Sequence, residues 1–407
     1  MIKDIIDKKR LGKDLSYDEL KKIFMGYLNG TVKDYQMSSL LMAICINGMS
    51  EDEIFNLTDI FINSGEVLNF DNIPGIKVDK HSTGGIGDKT TLVIVPVVAS
   101  LGIPVVKMSG RGLGYTGGTI DKLESIEGFR TDLSNDEVDV SLKSVGAVIT
   151  GQTANLVPLD KVIYALRDVT ATVSSIPLIA VSIMSKKIAG GADKILLDVK
   201  YGNGALVSNY DDALVLAELM KKIGIKYKKE VRYVISNMDN PLGSCIGNSL
   251  EVMEAIDTLK GNTDGAFYDL CVELASNMVS MAKEISIDEA AVLVRNVLSN
   301  GLAYNKFIEI VHNQGGDINK MKISSKTEKI YSKKAGIIKG INALEIGKIS
   351  LELGAGRREK EDVIDHSVGI ILNKIVGESV KEGDLLMTLY VNDKNDFTLS
   401  DDVFEIN

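Results

Sequence analysis

Residues 75–102 read GIKVDKHSTGGIGDKTTLVIVPVVASLG and contain the first strand-and-loop pattern of the chain. GIKVDKHST predicts a short strand followed by a loop that is rich in glycine, lysine and hydroxyl side chains. The run TTLVIVPVVASLG is ambiguous by itself. Its β-branched residues favour a strand, its length and its place between two strands favour a helix, and Pro96 disfavours a regular helix interior.

Further short apolar runs follow, namely VVKMSG, VGAVITG, IPLIAVSI and KILLDVKYGNG, and GGTIDKLESI is typical of a helix start. Short strands separated by helical segments predict an α/β domain with a mostly parallel sheet. Residues 1–65 have helical patterns, with possible capping residues at Ser16 and Ser50. Long helical patterns occupy 211–313, and the last seventy residues have short β-like runs, so we place a domain boundary near 335.

Composition limits the function classes. The chain has 407 residues, 45% of them hydrophobic and 25% charged, and its net charge of -10 argues against a nucleic-acid binder. Cys45, Cys245 and Cys271 form no CxxC pair, so neither a disulfide framework nor a zinc site is expected. The charged N-terminus does not resemble a secretory signal, and no run of eighteen apolar residues exists. A cytoplasmic protein without a membrane span is expected.

The first glycine-rich loop, HSTGGIGDKTT, predicts an anion site. It fails the P-loop template because Asp88 separates Gly87 from Lys89, and no window of this loop has the GxGxxG spacing. Glycines nevertheless let backbone N–H groups converge on an oxyanion, and a helix N-terminus adds positive charge. Lys80, Ser82 and Thr91 are candidates to complete this site, although a flexible turn remains an alternative.

A second glycine-rich loop, KMSGRGLGYTGGTIDKLES, follows the next strand and adds Lys107, Ser109 and Thr119. Loops at the carboxyl ends of neighbouring parallel strands face one crevice. Two lysines and several hydroxyls in one crevice suit phosphate or a sugar phosphate.

These two loops together closely resemble the thymidine and pyrimidine-nucleoside phosphorylase family. The resemblance continues through GQTANLVPLDKVIYALRDVTATVSSIPLIAVSIMSKKIAGGADKILLDVKYGNGAL, MDNPLGSCIGNSLEVMEAI and GAGRREKEDVIDHSVGI, and it covers nearly the whole chain. It implies a homodimer that reversibly cleaves pyrimidine nucleosides with inorganic phosphate, without an organic cofactor. The products are the free base and (deoxy)ribose 1-phosphate.

The resemblance also implies that TTLVIVPVVASLG forms a helix, and it implies a domain organisation. We expect a small helical domain, a larger α/β domain with the active site in the cleft between them, and a C-terminal α+β region with a barrel-sandwich-like segment. The predicted bounds are 1–66 with an inserted segment 159–190 for the helical domain, 67–158 and 191–334 for the α/β domain, and 335–407 for the C-terminal region.

The same resemblance implies the site residues. Arg167, Ser182 and Lys186 would bind the pyrimidine, whose carbonyls accept hydrogen bonds and whose N3–H donates one. His81, Arg167 and Lys186 would be catalytic, with His81 as hydrogen-bond donor or general acid. The phosphate site would consist of Lys80, His81, Ser82, Thr91, Lys107, Met108, Ser109 and Thr119.

Two finer expectations concern specificity and a cation. Lys107 resembles the family members that accept uridine, deoxyuridine and thymidine, whereas strict thymidine phosphorylases usually have an apolar residue there. Tyr115 departs from the family pattern, which usually has histidine at that position. Such broad-specificity members also bind potassium through main-chain carbonyls and one carboxylate, and the matching positions are Gly87, Lys89, Leu242, Cys245 and Glu254.

Three alternatives stay open. A strict thymidine phosphorylase is the nearest, and a phosphoribosyltransferase of the same fold is less favoured because it should show acidic metal ligands near the pocket. VGESVKEGDLLMTLYV also resembles the turn of biotinyl and lipoyl domains, although no lysine stands at the expected hairpin tip.

Overall fold

The computed structural model describes residues 1–112, 114–359, 361–393, 400 and 402–407. The chain begins with four helices whose patterns the sequence predicted. Ser16 and Ser50 cap the second and fourth of them, each accepting a hydrogen bond from the backbone N–H three residues later. These helices are α1 (Ile2–Arg10), α2 (Tyr17–Leu28), α3 (Asp34–Asn47) and α4 (Glu51–Ile62).

A parallel sheet follows, as the alternating pattern predicted. Within the described residues it has the order β3-β2-β1-β4-β5, with every neighbouring pair parallel. The sequence analysis missed its last strand, which lies in a region that was interpreted as helical. The strands are β1 (Val78–Ser82), β2 (Val105–Ser109), β3 (Ala147–Gly151), β4 (Lys194–Tyr201) and β5 (Glu230–Asn237).

Helices connect these strands. TTLVIVPVVASLG forms a helix despite Pro96, as the resemblance implied, and Thr90 to Ala99 are buried on all its sides. IPLIAVSI also forms a helix, so its interpretation as a strand was wrong. Pro177 in its first turn is a helix-start signal that the apolar run concealed. The connecting helices are α5 (Thr90–Ser100), α6 (Thr119–Glu124), α7 (Asn135–Val145), α8 (Pro158–Asp168), α9 (Ile176–Ala189) and α10 (Tyr210–Lys226).

Helices α8 and α9 pack with the N-terminal helices, and the same core reaches one face of the sheet. Leu159 and Ile163 of α8 and Leu178 of α9 share one hydrophobic core with residues of α1 to α4. This packing is what the inserted segment 159–190 was expected to do, and the domain bounds themselves stay a prediction. A second core lies between the sheet, α5 and the helices that follow β5.

The rest of the chain completes the α/β part and adds antiparallel sheets. Strand β6 (Cys245–Ile246) pairs with a C-terminal strand, so the C-terminal region contacts the loops near the sheet edge. No helix in the described ranges is both long and apolar enough to cross a bilayer. The remaining elements are α11 (Asn248–Leu259), α12 (Ala266–Lys283), α13 (Ile287–Ser299), α14 (Leu302–Asn313), β7 (Lys326–Tyr331), β8 (Gly336–Ile341), α15 (Ala343–Glu352), β9 (Gly369–Leu372), β10 (Ser379–Val380), β11 (Leu385–Val391) and β12 (Phe404–Ile406).

Candidate active site

The predicted phosphate residues lie on the adjacent strands β1 and β2. The parallel register pairs Val78 with Val105, so Lys80 and Lys107 come two residues further along each strand. Ser82 and Ser109 follow two residues later and end the strands. Because side chains alternate along a strand, each lysine shares a face with the serine that follows it. Two ammonium groups and two hydroxyls are therefore brought together at one edge of the sheet.

Lys80 is buried and held in place by a polar network. Its Nζ donates to Thr90 Oγ1 at 2.6 Å and lies 2.9 Å from Asp198 Oδ2. Lys200 Nζ lies 3.1 Å from the same carboxylate oxygen. One fully buried carboxylate on β4 thus compensates two buried ammonium groups. The sequence analysis did not identify Asp198 or Lys200, although charged residues within the apolar strand run KILLDVK were a usable signal.

The β1–α5 loop carries a further carboxylate that sequence analysis missed. Asp88 accepts hydrogen bonds from Ser82 Oγ and from Thr90 Oγ1, the latter at 2.7 Å. Burial favours the neutral acid, but Lys80, Lys200 and Lys122 outweigh it and hold the pKa of Asp88 well below its usual range. Asp88 therefore stays ionised and orients the Ser82 hydroxyl.

Lys107 and Ser109 differ from this satisfied network. Lys107 is buried and its Nζ donates to Met108 O at 2.9 Å, but in the part of the chain that the structure describes it forms no ion pair. Burial, then the neighbouring Lys187, lower the pKa of Lys107 well below its usual value. Ser109 Oγ is buried and has no hydrogen-bond partner among the described residues. Within the described residues, β2 thus carries a buried ammonium without an ion pair and a buried hydroxyl without a partner on the same face, and an anion can bind such groups.

The second glycine-rich loop folds back on itself beside these residues. A Cβ on Gly118 would lie 2.1 Å from the backbone N of Gly112, so only glycine permits this close approach. Gly112 N donates to Asp121 Oδ2 at 2.6 Å, which fixes the loop to α6. Thr119 is the first residue of α6, and Thr91 is buried in the first turn of α5.

The opposite face of β1 meets helix α9. Asp79 Oδ2 lies 2.6 Å from Lys187 Nζ, and both side chains are buried. His81 shares this face of the strand. Burial, and next the positive charge of Lys187, lower the pKa of His81 well below its usual value. The imidazole is therefore neutral near pH 7.

Ser182 and Lys186 lie one helical turn apart on α9, as their predicted joint role requires. Lys186 Nζ donates to Ser182 Oγ at 3.2 Å and to Asp160 Oδ2 at 2.6 Å. Asp160, at the start of α8, was not identified from the sequence. After burial, Lys187 and Lys107, the charge of Lys186 also lowers the pKa of His81.

Arg167 is buried, and main-chain carbonyls bind part of its guanidinium. Nε donates to Thr172 O at 3.2 Å, Nη1 to Leu178 O at 3.1 Å and Nη2 to Val173 O at 2.7 Å. The guanidinium has five N–H groups, so two have no acceptor within the described ranges. Arg167 therefore holds the α8–α9 connection in place, and two of its N–H groups are not used by the described residues.

The positions expected to bind potassium have a different arrangement. Lys89 Nζ donates to Leu242 O at 2.7 Å and to Cys245 O at 2.8 Å, and it lies 2.6 Å from Glu254 Oε2. The oxygen groups that the resemblance assigned to a metal ion thus contact an ammonium group. The residues present do not fit a potassium ion at this point, because the Lys89 side chain occupies the centre of the oxygen cluster.

Tyr115, the departure from the family pattern, is 47% exposed and packs near Gly347 of α15. It is thus a surface residue where the second loop meets the C-terminal region, and among the described residues it forms no hydrogen bond or ion pair with the phosphate residues.

Comparisons with known proteins agree with this geometry and identify the class of protein to which the chain belongs. Residues 3–65 match the sequence model described as "Glycosyl transferase family, helical bundle domain", and residues 75–304 match "Glycosyl transferase family, a/b domain". The anthranilate phosphoribosyltransferase of Thermus thermophilus has a similar fold, with a TM-score of 0.60 at 19% identity over 76% of this chain and 99% of that chain. The chain is thus an enzyme of the glycosyl transferase class that has a helical bundle and an α/β domain.

Matches to the C-terminal region and to nearly the whole chain identify the family within this class. Residues 337–404 match "Pyrimidine nucleoside phosphorylase C-terminal domain". The pyrimidine-nucleoside phosphorylases of Staphylococcus haemolyticus, Bacillus subtilis and Geobacillus stearothermophilus are each 50% identical to this chain, over 96% of it and 92% of their own length. This chain belongs to the pyrimidine-nucleoside phosphorylase family.

Proposed function

We propose that the enzyme catalyses the reversible phosphorolysis of uridine, thymidine and deoxyuridine to free base and (deoxy)ribose 1-phosphate. The observation that carries this proposal is the pair formed by Lys107, a buried ammonium without a carboxylate partner, and Ser109, a buried hydroxyl without a hydrogen-bond partner among the described residues. An anion at the end of β2 would satisfy both groups.

Phosphate is the anion that the remaining groups suit. Lys80 uses two of its three N–H donors on Thr90 and Asp198, and the third is available to a phosphate oxygen. The Ser82 hydroxyl is oriented by Asp88. Charge-assisted hydrogen bonds to phosphate are stronger than neutral ones. Lys80, His81, Ser82, Thr91, Lys107, Met108, Ser109 and Thr119 therefore form the proposed phosphate site, with Met108 contributing its backbone.

The pyrimidine would lie on the α9 side of β1. Lys186 and the two remaining N–H groups of Arg167 are donors for the ring carbonyls, and Ser182 Oγ can donate or accept. The neutral imidazole of His81 supports a role as hydrogen-bond donor to the base rather than as a protonated acid. Its proposed partner is the carbonyl oxygen O2.

In the proposed reaction, a phosphate oxygen attacks C1′ as the bond between C1′ and N1 of the base breaks. The bonding electron pair stays on the pyrimidine, which leaves as an anion and later takes up a proton from solvent. Positive charge develops on the sugar and is stabilised by the phosphate dianion. Arg167 and Lys186 stabilise the negative charge on the leaving base, and such a donor contributes about 2.7–4 kcal/mol in comparable sites. Closure of the cleft would exclude water and align the reactants.

Further features belong to the same proposal. Lys107 supports broad specificity over a strict thymidine phosphorylase. The free thiols of Cys45, Cys245 and Cys271 are consistent with a cytoplasmic enzyme. We also propose that the enzyme is a homodimer, as the resemblance implies. A bound potassium ion is not part of the proposal, because Lys89 Nζ contacts the oxygen groups that were expected to bind it.

The test is an assay of the released base. Uridine and thymidine are incubated with the enzyme with and without inorganic phosphate, and uracil, thymine and pentose 1-phosphate are separated by chromatography. Release of both bases only with phosphate supports the proposal. Release of thymine alone would favour a strict thymidine phosphorylase, and base release without phosphate would refute phosphorolysis.

A further inference from the structure

A compact oxygen cluster surrounds the side-chain nitrogen of Lys89. Leu242 O, Cys245 O and Glu254 Oε2 lie 2.7, 2.8 and 2.6 Å from Nζ. An ammonium group has three N–H donors, and the cluster offers one acceptor to each of them. Lys89 is 1% exposed, and Phe267 covers it with its ring centroid 5.0 Å from Nζ. We call these three oxygen groups the oxygen cage.

The cage is held in shape by backbone groups. The Glu254 carboxylate accepts hydrogen bonds from the backbone N of Ser244 at 2.7 Å and of Cys245 at 2.9 Å. A Cβ on Gly243, which has a φ of +80°, would lie 2.8 Å from Lys89 Nζ, and a Cβ on Gly87 would lie 2.6 Å from Leu242 O. The chain thus closes tightly around a single positive centre, and a carboxylate buried here without a cation would be costly.

We propose that Lys89 supplies the cation that the oxygen cage requires, so that this enzyme needs no monovalent metal ion for stability or phosphate binding. The covalently tethered ammonium fills the place that a free ion would take between two carbonyls and a carboxylate. Lys89 is then a positioning residue, because its ammonium contacts the cage and not the reacting atoms.

The cage is connected to the phosphate site through Asp88. Lys89 follows Asp88 directly, and Lys122 Nζ donates to Asp88 O at 2.6 Å while it pairs with Glu251 Oε2 at 2.8 Å. Glu251 and Glu254 lie one turn apart on α11, so this helix anchors the loop through two ammonium groups. The Asp88 side chain in turn orients Ser82. Loss of the tether should therefore displace a phosphate ligand.

The Glu254 carboxylate also favours the charged form of the Lys89 side chain. Burial disfavours the ammonium form, but the Glu254 carboxylate outweighs it and raises the pKa of Lys89. The tethered ammonium is part of the chain, in contrast to a free ion, whose occupancy depends on its concentration.

The test compares K⁺ with tetramethylammonium, which is too large for the cage, at constant ionic strength. Tm and KM for phosphate are measured for the wild type, for Lys89→Ala, which leaves room for an ion, and for Lys89→Met, which fills the space without a charge. We expect the wild type to be indifferent to the cation. In tetramethylammonium, both variants should have a Tm lower by on the order of 5 °C and a raised KM for phosphate, by up to about 100-fold.

The two variants separate the proposal from a general loss of packing. K⁺ should restore the Tm and the KM of Lys89→Ala in a saturable manner and leave Lys89→Met unchanged. A wild-type enzyme whose Tm or phosphate KM depends on K⁺ would overturn the proposal even if neither variant folds. So would a Lys89→Ala variant that is as stable as the wild type in tetramethylammonium, or one that K⁺ restores no better than Lys89→Met.

Discussion

Replacing Ser109 by alanine should affect phosphate binding and protein stability in opposite directions. Ser109 Oγ is buried at the carboxyl end of β2 without a hydrogen-bond partner among the described residues. A buried unsatisfied hydroxyl costs about 1–3 kcal/mol. Its removal should therefore leave the free energy of unfolding of the ligand-free enzyme unchanged or raise it by up to about that amount.

Phosphate binding should weaken in the same variant. A hydrogen bond to a charged group contributes about 1.5–3 kcal/mol. Since about 1.4 kcal/mol corresponds to a factor of ten, KM for phosphate should rise by roughly 10- to 150-fold. Because the hydroxyl is assigned to phosphate and not to the base, KM for uridine at saturating phosphate should change little.

The assay combines urea unfolding without ligand and initial-rate kinetics at varied phosphate. Ser100→Ala is the matched control, because Ser100 lies at the far end of α5, about 15 Å along the helix from Thr90. Its hydroxyl donates to Val97 O at 2.7 Å, so the control loses a satisfied bond away from the site. An unchanged KM for phosphate in Ser109→Ala, or a loss of stability above about 1 kcal/mol, would refute the reasoning.

Three further predictions concern the neighbouring charges. Lys107→Met removes a buried ammonium that has no ion pair among the described residues. KM for phosphate should therefore rise, while the ligand-free enzyme should be no less stable in urea. The ratio of uridine cleavage to thymidine cleavage should also fall. Asp79→Asn leaves Lys187 buried without its partner and should lower the free energy of unfolding in urea by about 3–5 kcal/mol. The double variant Asp79→Asn/Lys187→Met should recover at least half of this loss. A loss below about 1 kcal/mol in Asp79→Asn would contradict the prediction. Because the pKa of His81 is lowered in the folded state, the unfolded chain binds more protons at this group below about pH 6.5, and stability should fall as pH decreases. The contribution of His81 to the slope is at most about 1.4 kcal/mol per pH unit. His81→Gln should flatten the curve by up to this amount, and an equal slope in both proteins would contradict the shift.

The sequence predicted those parts of the fold that depend on local patterns. Alternating strands and helices indicated the parallel sheet, and capping serines indicated the helix starts at Ser16 and Ser50. IPLIAVSI was misread, because a short, wholly apolar run has the same appearance in a buried strand and a buried helix. Strand β5 was missed because its residues, EVRYVISN, lie in a region that was interpreted as helical. Only the family resemblance predicted a helix for TTLVIVPVVASLG, because Pro96 disfavours a helix when the segment is considered alone.

The sequence predicted the part of the candidate site that lies at the carboxyl ends of β1 and β2. Lys80 and Ser82 lie at the end of β1, Lys107 and Ser109 lie at the end of β2, and the parallel register brings them together. Asp160 was missed because its partner Lys186 stands on another element, α9. Asp198 was missed although Lys200 stands two residues away, because the pairing with Lys80 of β1 is not visible in the local pattern. The role of Lys89 was also hidden, because its side chain contacts residues about 150 positions away, and no local pattern reports where a long side chain points.

The most direct test of the phosphorylase function is the stoichiometry of base release from uridine and thymidine at varied phosphate. Both uracil and thymine should appear only when phosphate is present, each with one equivalent of the corresponding pentose 1-phosphate. Release of base that does not depend on phosphate, or release that yields free pentose, would contradict the proposed function of the site.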